Sequence, residues 1–246
     1  SIGQKEPNRE DFEAGTTTQP KKEQLQDLEI GLEKRNKKSS FGATIYYMHY
    51  TDQLVLTGKI NDVGAYTRMN VPNSYRLGLE LTYAVAITNK LQWSSNVTLS
   101  RNKIKSFTEY LDNYDTGNQD GITRNNTDIA FSPNFIAAST FTYKPTSKLN
   151  IELQSKWVGK QYLDNSSLQE RSLDAFTNHD ISASYQFAKK ENRSFLLTAR
   201  INNITNSKYV PNGYSYAYVY GGETITENGY YPAATLHYLI GIEVKF

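Results

Sequence analysis

The 246-residue sequence contains no cysteine, which excludes a disulfide framework and a thiolate metal centre. Methionine and tryptophan are scarce, with two of each. Its three histidines, His49, His179 and His237, lie on different segments without a partner at metal-ligand spacing, so no metal site is assigned and no cofactor is called for. His179 precedes Asp180, but no motif places a nucleophilic serine beside them. No catalytic residues are proposed, and the chain is read as a protein that is not an enzyme. Long apolar runs are also missing. Nothing approaches the roughly 18 apolar residues of a transmembrane helix, and the start, "SIGQKEPNRE", lacks the basic and apolar regions of a signal peptide. Charge of one sign does not dominate: 27 basic residues face 25 acidic ones and are dispersed, which disfavours a nucleic-acid partner.

What is present is tyrosine and alternation. Nineteen tyrosines and ten phenylalanines suit strands and the water–lipid boundary. In the closing "ATLHYLIGIEVKF", Ala234, Leu236, Tyr238, Ile240, Ile242, Val244 and Phe246 are all apolar or aromatic, and the residues between are mostly polar or small. "NSYRLGLELTYAVAIT" does the same from Tyr75 to Ile87. A helix would set Leu77 and Leu79 about 200° apart, so both stretches are strands. The pattern predicts nine strands, at 23–35, 39–57, 68–88, 91–107, 131–144, 148–162, 174–188, 193–209 and 230–246. In 39–57 both faces are mixed, and the outward side is not assignable from the pattern.

Short and long connections alternate. "NKKS" (36–39), "TNK" (88–90), "KPTSK" (144–148) and "KKENR" (189–193) are tight and polar, whereas 58–67, 108–130, 163–173 and 210–229 are long. A soluble β-sandwich with half-buried strands is the competing reading, but it has no reason to gather its short turns at one end. An outer-membrane barrel does. In that reading the apolar stripes face lipid. The polar set between them, including Arg76, Glu80, Gln92, Asn96, Glu152, Gln154, Asp180, Arg200, Asn202 and Glu243, faces a wet lumen rather than a core in which unpaired polar groups are costly.

Two long connections carry candidate chemistry. In "YVPNGYSYAYVYGGETITENGYY" (209–231), Tyr214, Tyr216, Tyr218 and Tyr220 alternate and are the candidate ligand contacts. Tyr209, Tyr230 and Tyr231 are candidates for an aromatic girdle, and self-packing of a long hairpin is the plainer alternative. The stretch 108–130 holds Glu109, Asp112, Asp115, Asp120 and Asp128 against Arg124. Calcium binding and a solvated acidic loop both remain open there.

The segments together resemble TonB-dependent outer-membrane receptors. "LHYLIGIEVKF" resembles the closing strand of outer-membrane barrels, whose terminal Phe and alternating positions are an address for the barrel-insertion machinery. "RINNITNSKYV" resembles the family's N-[LI]-T-[ND]-x-x-Y stretch, and "DQLVLTGKINDVGAYTRMNVPNSYRLGLELTYAVAI" its hairpin ending in G-[VLI]-E-[LV]. "GQKEPNREDF" resembles a loop of Bacteroidetes-type receptors. The resemblance covers essentially the whole chain. It implies an all-β, antiparallel, up-and-down transmembrane barrel of about 22 strands, of which this chain supplies nine, with "SIGQKEPN" the end of a tenth. Residues 1–246 are then one domain, the C-terminal part of the barrel, without the plug domain and TonB box. Leu236, Tyr238, Ile240, Ile242, Val244 and Phe246 are expected to face lipid and carry the assembly signal. The expected partners are outer-membrane lipid, a small-molecule ligand, the insertion machinery, and the TonB complex through the part that is missing. The expected function is import of a ferric siderophore or similar bulky nutrient. The alternatives are a plug-less passive channel or structural barrel, and a soluble β-sandwich binding module.

Overall fold

A computed structural model describes residues 1–12, 19–61, 64, 66–190 and 193–245. In chain order the elements are β1 (Ile2–Lys5), a helical turn α1 (Arg9–Phe12), β2 (Glu23–Arg35), β3 (Ser39–Ile60), β4 (Tyr66–Ala86), β5 (Leu91–Asn113) and β6 (Asn118–Asp128). They continue with β7 (Phe135–Tyr143), β8 (Leu149–Val158), β9 (Gln161–Tyr162), a 3₁₀ turn (Gln169–Arg171), β10 (Ser172–Leu173) and β11 (Phe176–Lys190). The last are β12 (Arg193–Asn202), β13 (Asn212–Tyr220), β14 (Glu223–Tyr231) and β15 (His237–Lys245). One antiparallel sheet runs β1-β2-β3-β4-β5-β7-β8-β11-β12-β15. These are the nine expected strands plus the expected tenth, β1, which pairs with β2 from Ile2↔Gln26 to Lys5↔Glu23.

The register turns the stripes into a continuous surface. Ile30 pairs with Ile45, Ile45 with Leu79, Leu79 with Leu99, and Leu99 with Phe135. A second row links Trp93, Phe141, Leu153, Ile181, Ile201 and Tyr238. The first row settles the face of β3 that the sequence left open: Ile45 and Tyr47 point outward and are exposed. Ile240 and Ile242 are 73 % and 68 % exposed, which is not a dry interior. A sandwich would bury this surface between sheets; lipid covers it in a barrel.

The outward stripe of β5 runs from Leu91 to Leu99, and the next positions on that face are Arg101 and Lys103. Nine residues match the roughly 9–11 that a tilted strand needs to cross the hydrocarbon. The opposite face is polar and internally bonded. Arg200 donates to Asp180 at 2.8 Å, Asn178 to Asp180 at 3.0 Å, and Arg76 to Ser132 at 3.0 Å.

At the short-turn end, hydroxyl side chains tie the corners. Thr88 Oγ1 accepts from the N–H groups of Lys90 and Leu91, and Thr146 Oγ1 from those of Lys148 and Leu149. This is local turn chemistry that competes with ladder bonding. The "KKENR" turn lies partly outside the described residues. At the other end β3, β4 and β5 are 22, 21 and 23 residues long, about 70 Å at roughly 3.3 Å per residue. They project far beyond the apolar band. The buried cluster Val55, Val71, Ile104 and Phe107, with Ile129 from just past β6, sits on these projecting parts. A core forms there because the projections are covered by other protein segments, whereas the band meets lipid on one side and lumen on the other.

Several expected boundaries are corrected. The expected loop 108–130 is mostly the extension of β5 and the hairpin strand β6, and 210–229 is the hairpin β13–β14. The strand expected at 193–209 ends at Asn202. Asn203 and Asn206 there have φ of 52°, and buried Asn203 bonds the backbone of Ser207 and Ala234, turning the chain. The strand expected at 230–246 is two strands, broken at Pro232, which has no N–H to donate. Tyr230 and Tyr231 therefore belong to β14. Leu236 lies just before β15, exposed, with its N–H on Asn206 Oδ1. Phe246 lies outside the described residues.

Candidate ligand-binding site

Two hairpins meet above the apolar band. The tip of β13–β14 is Tyr220-Gly221-Gly222-Glu223, with φ of 64° and 79° at the glycines. Two consecutive positive φ values make a type I′ turn, which only residues such as glycine adopt cheaply. In the β5–β6 turn, Asn113 Oδ1 accepts from the N–H groups of Asp115 and Thr116. Asp115 then reaches across: its two oxygens accept from the N–H groups of Gly221 and Gly222 at 2.9 and 2.8 Å. β13 also lies parallel to the end of β5 at Tyr218↔Asp112 and Val219↔Asn113, the parallel pair in an otherwise antiparallel sheet.

The four candidate tyrosines divide. Tyr216 Oη donates its one hydrogen to Asp112 Oδ2 at 2.8 Å and accepts from Tyr114 Oη, also at 2.8 Å. Burial, then the bonds to Tyr114 and Asp112, push its phenol far above the ordinary value. Tyr218 Oη donates to Glu227 at 3.0 Å, which raises its phenol too. Tyr216 ties the two hairpins to each other, while Tyr218 ties β13 to β14 and meets the Tyr114 ring at 5.3 Å. Tyr214 and Tyr220 are 57 % and 62 % exposed, the Tyr214 ring lying across Gly229 of β14. Of the girdle candidates, Tyr209 stacks on Phe176 at 4.4 Å, while Tyr231 packs near Tyr214 at 6.1 Å within the hairpin.

Below the tips is a cavity of about 550 Å³. Its walls include Tyr66, Phe107, Tyr110, Leu111 and Tyr214, and its polar lining includes Thr57, Glu109, Asp164, Arg171 and Ser215. The segment 163–173 places Arg171 there. Asn165 accepts from the Ala130 N–H and donates to the Leu56 carbonyl, and Leu163 and Leu173 are buried. Asn228 holds the Glu170 carbonyl at 2.6 Å. Arg171 is 1 % exposed. Its Nη1 donates to Glu109 and, at 3.0 Å, to Asp164, and Arg124 holds Glu109 from the other side at 2.7 Å. Sequence reasoning missed Arg171 entirely. The available signal was "LDNSSLQERSL", where polar residues are spaced by leucines, of which Leu163 and Leu173 are buried.

The acidic side chains of the stretch are engaged by separate protein partners. Asp120 accepts from Asn113, Asp128 from Lys103, and Asp112 from Tyr66, Tyr216 and Gln119. Among the described residues no group of three His, Asp or Glu is placed to hold a metal ion. The histidines stay apart: His49 meets Asn73, His179 meets Ser155, and His237 meets Asn202.

Residues 7–204 match the family described as TonB dependent receptor-like, beta-barrel. The chain belongs to that family. It is a barrel portion of a TonB-dependent receptor, and such barrels are proteins of the outer membrane. The ferric-catecholate import receptor Fiu from E. coli has the same fold over 99 % of this chain and 32 % of its own, at 16 % identity and a TM-score of 0.64. The siderophore receptor PiuA from Acinetobacter baumannii matches 91 % of this chain and 28 % of its own, at 16 % identity and a TM-score of 0.66. The copper transporter OprC matches 99 % and 37 %, at 13 % identity and a TM-score of 0.71. The chain thus spans about a third of the length of these receptors. No curated protein matches it in sequence. The hairpins and the cavity lie at the end of the sheet opposite the short turns, the end that outer-membrane barrels generally turn to the outside.

Proposed function

We propose that this chain is the barrel portion of a receptor that imports a ferric siderophore or a similarly bulky nutrient, driven through the TonB complex. The observation that carries this reading is the cavity of about 550 Å³ at the end opposite the short turns, roofed by locked hairpins and walled by aromatic rings. Ligand sites are typically concave, mostly apolar and furnished with a few convergent polar groups. Tyr214, at the cavity mouth, and Tyr220, at the hairpin tip, offer rings for a ligand arriving from outside. Tyr216 and Tyr218 act one step back, as supports. The closing strand, from Tyr238 to Val244, would be read by the insertion machinery, and nothing in the function requires a bond to be made or broken.

Support from Fiu and PiuA concerns what those proteins import; OprC, with the same fold, carries copper. Growth on single ferric siderophores, with and without the gene and with and without TonB, tests the proposal. Growth on at least one siderophore should require both. Growth independent of TonB would favour a passive channel.

A further inference from the structure

Arg171 carries more hydrogen-bonding capacity than its surroundings use. Nη1 is occupied by Glu109 and Asp164, but Nε and Nη2, although buried, have no partner. Two hydroxyls on the lining of the same cavity, Thr57 Oγ1 and Ser215 Oγ, are also buried without a partner. Buried donors left unpaired are costly, and the great majority in folded proteins are satisfied. Here four such groups belong to residues that line one cavity, but each atom is closed off from it, so a ligand reaches them only when the lining parts.

The Nε–Nη2 edge of a guanidinium is a fork of two parallel N–H groups. It matches two oxygens held in one plane. The charges nearby nearly cancel: Arg171, Arg124 and Lys59, whose Nζ sits 4.6 Å from the Tyr110 ring centroid, face Glu109, Asp164 and Asp112. A balanced site does not draw in small anions on charge alone. It needs apolar burial as well, and Phe107, Leu111, Tyr66 and Tyr110 provide the walls for a ring.

We infer that this cavity is a subsite for a ring-bearing carboxylate, which seats its ring between the aromatic walls and, as the lining parts, its two oxygens on the Arg171 fork and the Thr57 and Ser215 hydroxyls. The inference deepens the import reading and rests on it only for the claim that the bound group belongs to the transported ligand.

The test uses the receptor purified from outer membranes in detergent, with three fluorinated probes observed by ¹⁹F NMR line broadening. 4-Fluorobenzoate should bind. 4-Fluorobenzamide, of similar shape but with a single acceptor oxygen, should bind about tenfold more weakly, since charge-assisted hydrogen bonds are the stronger kind. Trifluoroacetate, which has no ring, should not bind. Arg171→Lys keeps the charge against Glu109 and Asp164 but removes the fork, and should weaken 4-fluorobenzoate about tenfold or more. If that variant does not reach the membrane, Ser215→Val in the same lining should weaken the same probe several-fold while sparing the ion pairs. Absence of 4-fluorobenzoate binding, equal binding of the benzamide, or unchanged binding in either folded variant would overturn the subsite. Uptake is read separately in cells. Lost import with intact 4-fluorobenzoate binding sinks the import reading alone, and the reverse sinks the subsite alone.

Discussion

Arg68 on β4 clasps both carboxylate oxygens of Asp11, Nε to Oδ1 at 2.8 Å and Nη2 to Oδ2 at 2.6 Å, across 57 residues of sequence. Asp11 also caps its own turn. Its Oδ2 accepts from the Asn8 N–H, while Asn8 Oδ1 accepts from the Asp11 N–H. The "PNREDF" stretch that carried part of the family resemblance is therefore a latch fixing the α1 segment to the wall. The Asp11 side chain is 3 % exposed and Arg68 29 %, so Arg68→Ala leaves a nearly buried carboxylate unpaired. The expected cost is about 1–3 kcal/mol, felt locally. Proteolysis should then cut within residues 1–12 in the folded variant and spare them in the wild type.

The hairpin latch should respond to acid. The N–H groups of Gly221 and Gly222 hold the Asp115 carboxyl below its ordinary value. A carboxyl with a depressed folded-state value contributes stability above its unfolded value, and the contribution is lost as pH falls through the folded one. Amide hydrogen exchange at Gly221 and Gly222, corrected for intrinsic rates, should therefore be slow at neutral pH and speed up below the ordinary carboxylate range. Asp115→Asn, acid-insensitive and with one acceptor fewer, should exchange faster at neutral pH. Exchange that ignores both changes would mean the tip is held by the Tyr114–Tyr216–Tyr218 contacts alone. Tyr216 has the opposite sign. Its raised value contributes stability that is present below the ordinary phenol value and lost as pH rises through the folded one, so its phenolate should appear late in an alkaline ultraviolet titration.

Gly58 sets the bulge between Leu56 and Ile60 on β3 with φ of 82°, and a Cβ there would lie 2.2 Å from the Tyr110 carbonyl oxygen. Both the backbone conformation and the close approach require glycine. Gly58→Ala should push β3 away from β5 beside the cavity, at a cost of about 1–3 kcal/mol for the strained conformation. Binding of 4-fluorobenzoate should fall although no polar group of the subsite has changed, while the membrane-spanning part, far from the bulge, keeps its thermal transition.

The strands in the apolar band were legible because period-2 alternation is a local signal. Leu77, Leu79 and Leu81 announce a face regardless of what lies beside them. Above Leu99 the same strand of β5 leaves the lipid. Phe107, Glu109 and Leu111 are buried there under segments far away in sequence, and the pattern no longer separates lipid from lumen. Read locally, that stretch is an acidic loop. The cavity was illegible for a related reason. Arg171 takes its meaning from Glu109, 62 residues earlier, and nothing in the local pattern marks that pairing. The tyrosine alternation from Tyr214 to Tyr220 did point to the right hairpin. It could not say that Tyr216 and Tyr218 are engaged by Asp112 and Glu227, because those bonds depend on how the hairpin folds over β5 and back on itself.

The last prediction separates the two faces of the closing strand. Ile240 pairs with Ala199 on the outward row, and Glu243 pairs with Leu196 on the other face, where it lines a cavity of about 660 Å³ at the short-turn end with Lys148 and Ser184. An arginine at the level of the hydrocarbon midplane costs about 2–4 kcal/mol on the lipid face of a barrel strand, because lipid offers its guanidinium no partner. On the lumen face water and polar neighbours solvate the same group. Ile240→Arg should therefore reduce the heat-stable, compact fraction seen on cold gel electrophoresis, whereas Glu243→Arg should leave most of it. The comparison is internal, since both variants add one arginine to the same strand three residues apart. Differences in expression or in recognition of the strand by the insertion machinery affect them alike when folding is followed in detergent from purified, denatured receptor. Equal folding of the two variants would mean that lipid does not meet the Ile240 side of β15. The row Ile201–Tyr238 beside it, and with it the whole apolar surface, would then need another cover.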